Sequence, residues 1–173
     1  MIRNLIYTIF LFLIVTNHTF AQEKVVFIDI NFIFQNSIVG KELNEQIAKK
    51  ENEINLEIKK FKNDIEVEKN EITSQKNVIS SEEYNKKIKI LETKIKEMND
   101  LISKKTNELN KFKKNVEKSF SKELNLIIEK YSTENSIDMI LDKSNLLMAR
   151  KELNITQQVI NLFNENVKEI NIK

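Results

Sequence analysis

The chain has 173 residues and a nearly balanced charge, with 28 Lys and Arg residues against 26 Asp and Glu residues and a formal net charge of +2. It contains no cysteine, no proline, one histidine and one glycine. These absences exclude disulfides, redox dithiols and cysteine-ligated zinc sites, and a single glycine cannot build a phosphate-binding loop or a dinucleotide-binding motif.

Residues 1–21 are predicted to be a signal peptide. Arg3 precedes an apolar stretch of 11 residues from Leu5 to Val15. Such a stretch is too short to span a bilayer, but it has the length of a signal-peptide core. The modest-sized and small side chains of Thr19 and Ala21 predict cleavage after Ala21, and an uncleaved membrane anchor is the alternative.

Cleavage at this position would also remove His18, so the mature chain would contain neither histidine nor cysteine. Nucleophilic sites built on Cys or on a Ser and His pair are then excluded, as are zinc sites of the usual kind. The abundant carboxylates lie among lysines in patterns typical of solvated helix faces. We therefore expect a protein that is not an enzyme and that binds no cofactor or metal.

A strand and a short helix are predicted to follow the signal peptide. The run from Val25 to Ile30 is apolar and rich in β-branched residues, which favours a strand. Asn31 comes next and can cap a brief helix that extends through Gln35.

The centre of the chain, residues 41–131, is predicted to form a long helical arm, because it contains neither glycine nor proline. Its first half, the outbound limb, has apolar residues at the alternating three- and four-residue spacing of a coiled-coil seam. Glu51, Glu68 and Gln75 interrupt this seam. Its apolar members are Ile47, Ile54, Ile58, Phe61, Ile65, Ile72 and Ile79.

The second half of the arm, the return limb, carries a more regular seam that is interrupted at Lys105. Its members are Tyr84, Ile88, Leu91, Ile95, Met98, Ile102, Leu109, Phe112 and Val116. Between the limbs, Ser80 and Glu83 fit a capping box, which indicates that a new helix begins there. Two limbs joined by a short turn favour an antiparallel hairpin, and the first limb would extend about 58 Å. The alternative is one continuous helix in a parallel dimer.

A β-hairpin and a final helix are predicted after the arm. The apolar runs 137–141 and 146–149 bracket four turn-forming residues, which predicts a hairpin. Asn154 or Thr156 can then cap a final amphipathic helix.

Residues 22–40 and 132–173 are predicted to form one small body. These roughly 60 residues bury too little apolar surface to be stable alone, and three strands leave two open edges, so we expect oligomerisation. The predicted fold class is α+β and mostly helical, with the long antiparallel helical hairpin inserted into this β-rich body. The core of the body and the subunit interface are assigned to Val26, Ile28, Ile30, Met139, Leu141 and Leu147.

The order of these segments resembles a known family. The sequence 24–30, the Gly40-Lys41 pair, the long helical hairpin and the segment 137–149 followed by Asn154-Ile155-Thr156 resemble the Skp/OmpH family of periplasmic chaperones. The resemblance spans essentially the whole mature chain and is strongest at its two ends. It implies a periplasmic homotrimer of jellyfish shape, in which three arms surround a cavity that holds unfolded outer-membrane proteins without ATP.

Apolar residues outside the seam are candidates for binding an unfolded protein, the client of such a chaperone. Isolated exposed apolar residues are common in soluble proteins. Spread along an arm, however, they would offer many weak contacts to an unfolded chain. The residues that fall outside both seam classes are Leu56, Val67, Val78, Ile90 and Leu101.

The return limb is also basic. Between Tyr84 and Lys118 the chain has 11 lysines and five acidic residues, whereas the outbound limb from Lys41 to Ile79 has eight lysines and nine acidic residues. This charge can attract acidic clients or anionic lipid headgroups, and ordinary solvated lysines are the alternative. The resemblance to the Skp/OmpH family adds lipopolysaccharide as a candidate partner, without assigning residues to it. We do not expect nucleic acid as a partner, because an exported chain seldom meets it.

A structural role is the competing hypothesis for function. An exported coiled-coil spacer or adaptor of an envelope assembly would have a similar arm. Such adaptors usually flank the hairpin with larger β-rich domains, and the roughly 60 residues outside the arm leave no room for them.

Overall fold

The computed structural model describes residues 23–172, so the predicted signal peptide and its cleavage site lie outside the described residues. This part of the chain is mostly helical and has one small sheet. Short 3₁₀ turns lie at Lys143–Asn145 and Lys151–Leu153. The strands and α-helices are β1 Val25–Ile28, α1 Ile30–Asn36, α2 Ile38–Ser74, α3 Ser81–Glu134, β2 Met139–Asp142 and α4 Thr156–Asn166.

The long helical hairpin is confirmed. Helices α2 and α3 have 37 and 54 residues and are therefore about 55 and 81 Å long. The hydroxyl oxygen of Ser80 accepts a hydrogen bond from the backbone N–H of Glu83 at 3.2 Å, so the predicted cap opens α3. The alternative of one continuous helix is wrong, because the chain reverses over residues 75–80.

The outbound helix is shorter than predicted. It ends at Ser74, whereas the seam was predicted to continue to Ile79. The backbone N–H of Ile79 donates to the carbonyl of Gln75, as part of a tight turn that follows the helix. Since Ser80 already caps the next helix, the chain needs these residues to reverse direction and cannot keep them helical.

The base of α3 belongs to the core of the body. Val116, Phe120, Leu124 and Ile127 are buried there, at spacings of four, four and three residues rather than the heptad spacing of the arm. Phe120 forms the centre of an aromatic cluster, with ring centroids 4.9 Å from Phe34 and 5.0 Å from Phe163. The core of the body thus includes residues of α3 that lie within the predicted arm, 41–131. The division of the chain into arm and body stays a prediction. The other members of the core cluster are Val26, Ile28, Ile33, Val39, Leu43, Ile155, Val159, Ile160, Phe163 and Val167.

The sheet consists of β1 and β2, which pair in parallel from Val25 with Met139 to Ile28 with Asp142. The predicted hairpin over 137–141 and 146–149 is therefore wrong, because residues 146–149 form no strand. The backbone N–H of Ile155 donates to the carbonyl of Phe27 at 3.0 Å, on a stretch where Phe27 and Asn154 form an isolated parallel bridge. The segment before α4 thus contacts β1 where a third strand was expected.

The residues assigned to the body core and interface differ in burial within the single chain. Val26 and Ile28 are buried, and Ile30 and Leu141 are half-buried. Met139 is 51 % exposed, and Leu147 is fully exposed because it lies beyond the end of β2. The role of these residues in a subunit interface stays a prediction.

Asp29 joins four segments of the body. Its carboxylate caps α1 by accepting from the N–H of Phe32 at 2.9 Å and forms an ion pair with Lys143 at 2.8 Å. The predicted cap Asn31 lies inside α1, so that prediction is wrong. The N–H of Asp29 donates to the Thr156 hydroxyl at 2.9 Å, and Asn154 accepts from the N–H of Thr156 at 2.9 Å. Asn154 therefore satisfies the first amide of α4, although it precedes the formal cap position.

The corner between α1 and α2 requires a glycine. Ser37 caps α2 by accepting from the N–H of Gly40 at 3.2 Å, and its side chain is buried. A Cβ atom on Gly40 would lie 1.9 Å from the carbonyl oxygen of Phe34. The absence of a side chain therefore lets the two helices meet at this point.

We predict that Asp29→Ala lowers the free energy of unfolding at pH 7 by about 1 to 2 kcal/mol, because it removes both the helix cap and the ion pair. Asp29→Asn should cost less, since an amide oxygen can still cap α1. Urea unfolding followed by circular dichroism measures both changes.

The same variants test the charge of Asp29. The hydrogen bond from Lys143 and the N–H of Phe32 lower the pKa of this carboxyl in the folded protein. Its contribution is therefore present above the unfolded-state pKa of about 3.9 and is lost as the pH falls through the lower folded-state value. The parent should exceed Asp29→Asn in stability from pH 7 to about pH 4, and the difference should vanish below that range. A difference that grows on acidification would contradict this assignment.

Candidate functional site

The seam between the limbs is only partly shielded from water. Ile54, Ile72, Leu91 and Val116 are buried. Two helices alone cannot enclose a seam completely, so the remaining positions stay accessible along the sides of the arm. The half-buried members are Ile47, Ile58, Phe61, Ile65, Tyr84, Ile88, Ile95, Met98, Ile102, Leu109 and Phe112.

A ladder of lysine contacts joins the two limbs. Lys113 pairs with Glu51, Lys105 with Glu57 at 2.8 Å and Lys94 with Glu68 at 2.6 Å, while Lys87 donates to the Gln75 side chain at 2.7 Å. The residue numbers rise along α2 by nearly the amount by which they fall along α3. The limbs are therefore antiparallel and share one register along this stretch.

The polar interruptions of the predicted seam are members of this ladder. Glu51, Glu68 and Gln75 on the outbound limb each bind a lysine of the return limb. Lys105, which interrupts the return seam, binds Glu57, and its hydrogen bond to this carboxylate raises the pKa of Lys105. The sequence analysis identified these positions only as interruptions of the seams and did not predict that they pair across the arm. The charges of opposite sign that interrupt the two seams were the evidence for such pairing.

Most of the candidate client-binding residues are exposed. Leu56 and Val67 are 58 % and 57 % exposed, Ile90 is 46 % exposed, and Val78 in the turn is 82 % exposed. Leu101 is half-buried. The structure therefore places four of the five side chains where an unfolded chain can reach them.

Two of these residues lie along one line of the arm. Leu56 and Val67 are separated by 11 residues of α2, which corresponds to about three helical turns and 16.5 Å. They therefore share a face of the helix, and this face points away from the seam. Ile90 lies on α3 near the tip.

The basic charge of the return limb is partly used inside the arm. Four of its lysines belong to the ladder, and three of them are neutralised by glutamates. The remaining lysines between Tyr84 and Lys118 are exposed; they are Lys86, Lys89, Lys96, Lys104, Lys111, Lys114 and Lys118.

Within residues 23–172, no group of three or more His, Cys, Asp or Glu side chains is arranged to hold a metal ion. The same part of the chain has no helix that is long and apolar enough to cross a membrane.

Comparison with known proteins agrees with this architecture. A family model described as outer membrane protein, OmpH-like, matches residues 24–163, which include both limbs, both strands and most of α4. The chain belongs to the OmpH-like family. A crystal structure of an OmpH-like protein from Caulobacter crescentus superimposes with a TM-score of 0.77 and 17 % sequence identity. The match covers 90 % of this chain and 92 % of that protein, so the two share an overall fold. A search among curated proteins gave no match.

Sequence reasoning missed several exposed apolar residues of this OmpH-like chain. Met148 is 91 % exposed just after the predicted turn, and Phe32, Ile38 and Leu126 are about half exposed near the base of the arm. Their exposure could not be deduced from periodicity, since each lies at or next to the end of an element or on a helix of the body.

We predict that Glu68→Lys destabilises the arm by about 1 kcal/mol, because it places two ammonium groups together in place of an ion pair with Lys94. The exchanged pair Glu68→Lys with Lys94→Glu should recover most of this loss. The midpoint of thermal unfolding, followed by helical circular dichroism, measures both. Glu66→Lys, at an exposed neighbouring position, is the matched control. Equal effects of the control and the test substitution, with no recovery in the exchanged pair, would show that the ladder does not set the register.

Proposed function

We propose that the protein is an ATP-independent holdase chaperone of the periplasm, which binds unfolded outer-membrane proteins and prevents their aggregation. The observation that carries this proposal is the set of exposed apolar side chains Leu56, Val67, Val78 and Ile90 on an arm whose own seam does not need them. Membership of the OmpH-like family supports it.

The geometry of the arm suits weak binding to a chain without fixed structure. Leu56, Val67 and Ile90 are each exposed on a helix that is held by the seam and the ladder, so they do not have to rearrange to meet a client. Each contact buries a modest apolar area at about 25 cal/mol per Å². Several such contacts on linked arms add up to useful affinity, while each one breaks easily.

A homotrimer is part of the proposal. The outer edge of β2 is not paired within residues 23–172, and open strand edges are normally covered or paired in proteins. Met139, Leu147 and Met148 expose apolar surface in this region. Association of three copies would cover these side chains and arrange three arms around a shared space.

The exposed lysines of the return limb support a second type of contact, with acidic client segments, anionic lipid or lipopolysaccharide. They lie on the same limb as Ile90, so charge could guide a client towards the apolar residues. Such attraction acts over about 8 Å at physiological salt.

We predict that the combined change Leu56→Ser, Val67→Ser, Val78→Ser and Ile90→Ser reduces protection of a client severalfold, since it removes the exposed apolar contacts. The assay dilutes an outer-membrane β-barrel protein from urea and follows its aggregation by light scattering. Helicity and oligomeric state should be unchanged, because none of these positions is in the seam. An envelope spacer would give no protection even as the parent protein.

A control for the loss of exposed apolar surface elsewhere is Phe32→Ser with Leu126→Ser, which changes apolar residues near the body instead of the outer arm. Each protein is assayed at low and at physiological salt. Full protection by the quadruple variant at both salt levels would remove the apolar contacts from the proposal. If the quadruple variant protects the client at low salt but not at physiological salt, the lysines and not the apolar residues bind the client.

The trimer is tested separately. Leu147→Asp with Met148→Asp should dissociate it, because the change places charges in the proposed interface, and sedimentation should then detect a monomer. Leu126→Asp, on an exposed site of α3, is the matched control and should leave the trimer intact. The unfolding midpoint of the parent should also rise with protein concentration. A parent that sediments as a monomer with a constant midpoint would contradict the trimer.

A further inference from the structure

A groove lies between the two limbs close to the tip of the arm. Its volume is about 200 Å³. An engineered apolar cavity of about 150 Å³ in another protein holds a benzene molecule, so the groove is large enough for one aromatic ring. It is lined by Glu68, Glu71, Ile72, Gln75, Lys87 and Ile90.

The groove lies between two neighbouring contacts of the ladder. The contact of Lys87 with Gln75 is on the side of the tip, and the contact of Lys94 with Glu68 is on the side of the body. The two contacts are seven residues apart on each helix, or about 10.5 Å. The ladder therefore holds the walls of the groove at a fixed separation.

The lining combines an apolar floor with an apolar wall. Ile72 is only 4 % exposed and forms the floor, whereas Ile90 is 46 % exposed and offers its side chain to an occupant. By the register of the ladder, these two isoleucines lie opposite each other. An apolar ring placed here would cover Ile90 and the part of Ile72 that is still accessible to water.

The charges at the rim narrow the choice of occupant. Among residues 23–172 no ion pair involves Glu71, and the ammonium of Lys87 has the neutral Gln75 side chain as its partner. An ammonium group attracts the negative face of an aromatic ring, and a carboxylate accepts a hydrogen bond from a phenolic hydroxyl. A tyrosine side chain satisfies both groups, whereas a cationic side chain would be attracted by Glu71 and repelled by Lys87.

We propose that this groove binds a tyrosine side chain of an unfolded client. The inference rests on the proposed holdase function and adds the chemistry that the arm selects. Membrane-spanning β-barrels carry aromatic girdles at both membrane interfaces. Their unfolded chains therefore present suitable side chains at many positions, and each arm of the protein offers one groove of this kind.

The first test uses short, uncharged, extended peptides that are identical except for one central residue, which is Tyr, Phe, Lys or Ser. Binding to the protein expressed from residue 22 is measured by fluorescence anisotropy of a labelled peptide. The Tyr peptide should bind roughly tenfold more tightly than the Ser peptide, with Phe between them. Equal affinities of the four peptides, or tightest binding of the Lys peptide, would overturn the proposal.

The second test fills the groove. Ile90→Trp should abolish the preference for tyrosine, because the larger side chain occupies the space of the ring. Leu126→Trp, at an exposed position of α3 outside the groove, is the matched control and should keep the preference. Glu71→Gln changes no volume and should reduce only the advantage of Tyr over Phe, which keeps the test informative if Ile90→Trp misfolds. A tyrosine preference that persists in both groove variants would contradict the site.

Failure of this site and failure of the holdase function give different results. A β-barrel client and a variant of it in which every tyrosine is replaced by serine are each diluted from urea with the parent protein. Weaker protection of the tyrosine-free client supports the groove. Equal protection of both clients overturns the groove and leaves the holdase function intact, whereas protection of neither overturns the holdase function itself.

Discussion

Three ion pairs and one lysine to glutamine hydrogen bond hold α2 and α3 in a single antiparallel register. A two-helix seam of similar aliphatic residues tolerates a shift by one heptad, because each isoleucine would meet another apolar side chain. The polar contacts disfavour such a shift, since it would place Glu57 opposite Met98 or Phe112 instead of Lys105. Each pair is exposed and weak on its own. Together they decide which residues lie opposite each other, and the groove near the tip depends on that alignment.

The elements with strong periodicity could be predicted from the sequence. The hairpin followed from the two seams and from Ser80, because the heptad pattern and the cap depend on residues close in the chain. The sheet could not be predicted in the same way. The apolar runs on either side of the turn-forming residues 142–145 suggested a β-hairpin. Instead, β2 pairs in parallel with β1, more than a hundred residues away. That pairing depends on how the base of α3 brings the two ends of the chain together, which no local pattern records.

The candidate site was predictable in part for a similar reason. Heptad position alone identified Leu56, Val67 and Ile90 as residues outside the seam, and they are exposed. It did not reveal that Leu101 is half-buried. The groove was not predictable at all, since its lining requires the register between the limbs. Glu68 and Gln75 interrupt the predicted seam because each binds a lysine of the other limb. The sequence alone does not show which lysine each of them binds.

The unbroken course of α3 has a mechanical consequence. This helix continues from the aromatic cluster around Phe120 to the tip, and it contains neither proline nor glycine, the usual causes of a kink. The arm is therefore fixed at its base and has no hinge about which it can rotate. Any bending of the arm must come from elastic curvature spread over about 58 Å of helix between Phe120 and the tip. A load at the free end then bends the helix at the aromatic cluster, so the stiffness of that small core limits how far the arm deflects.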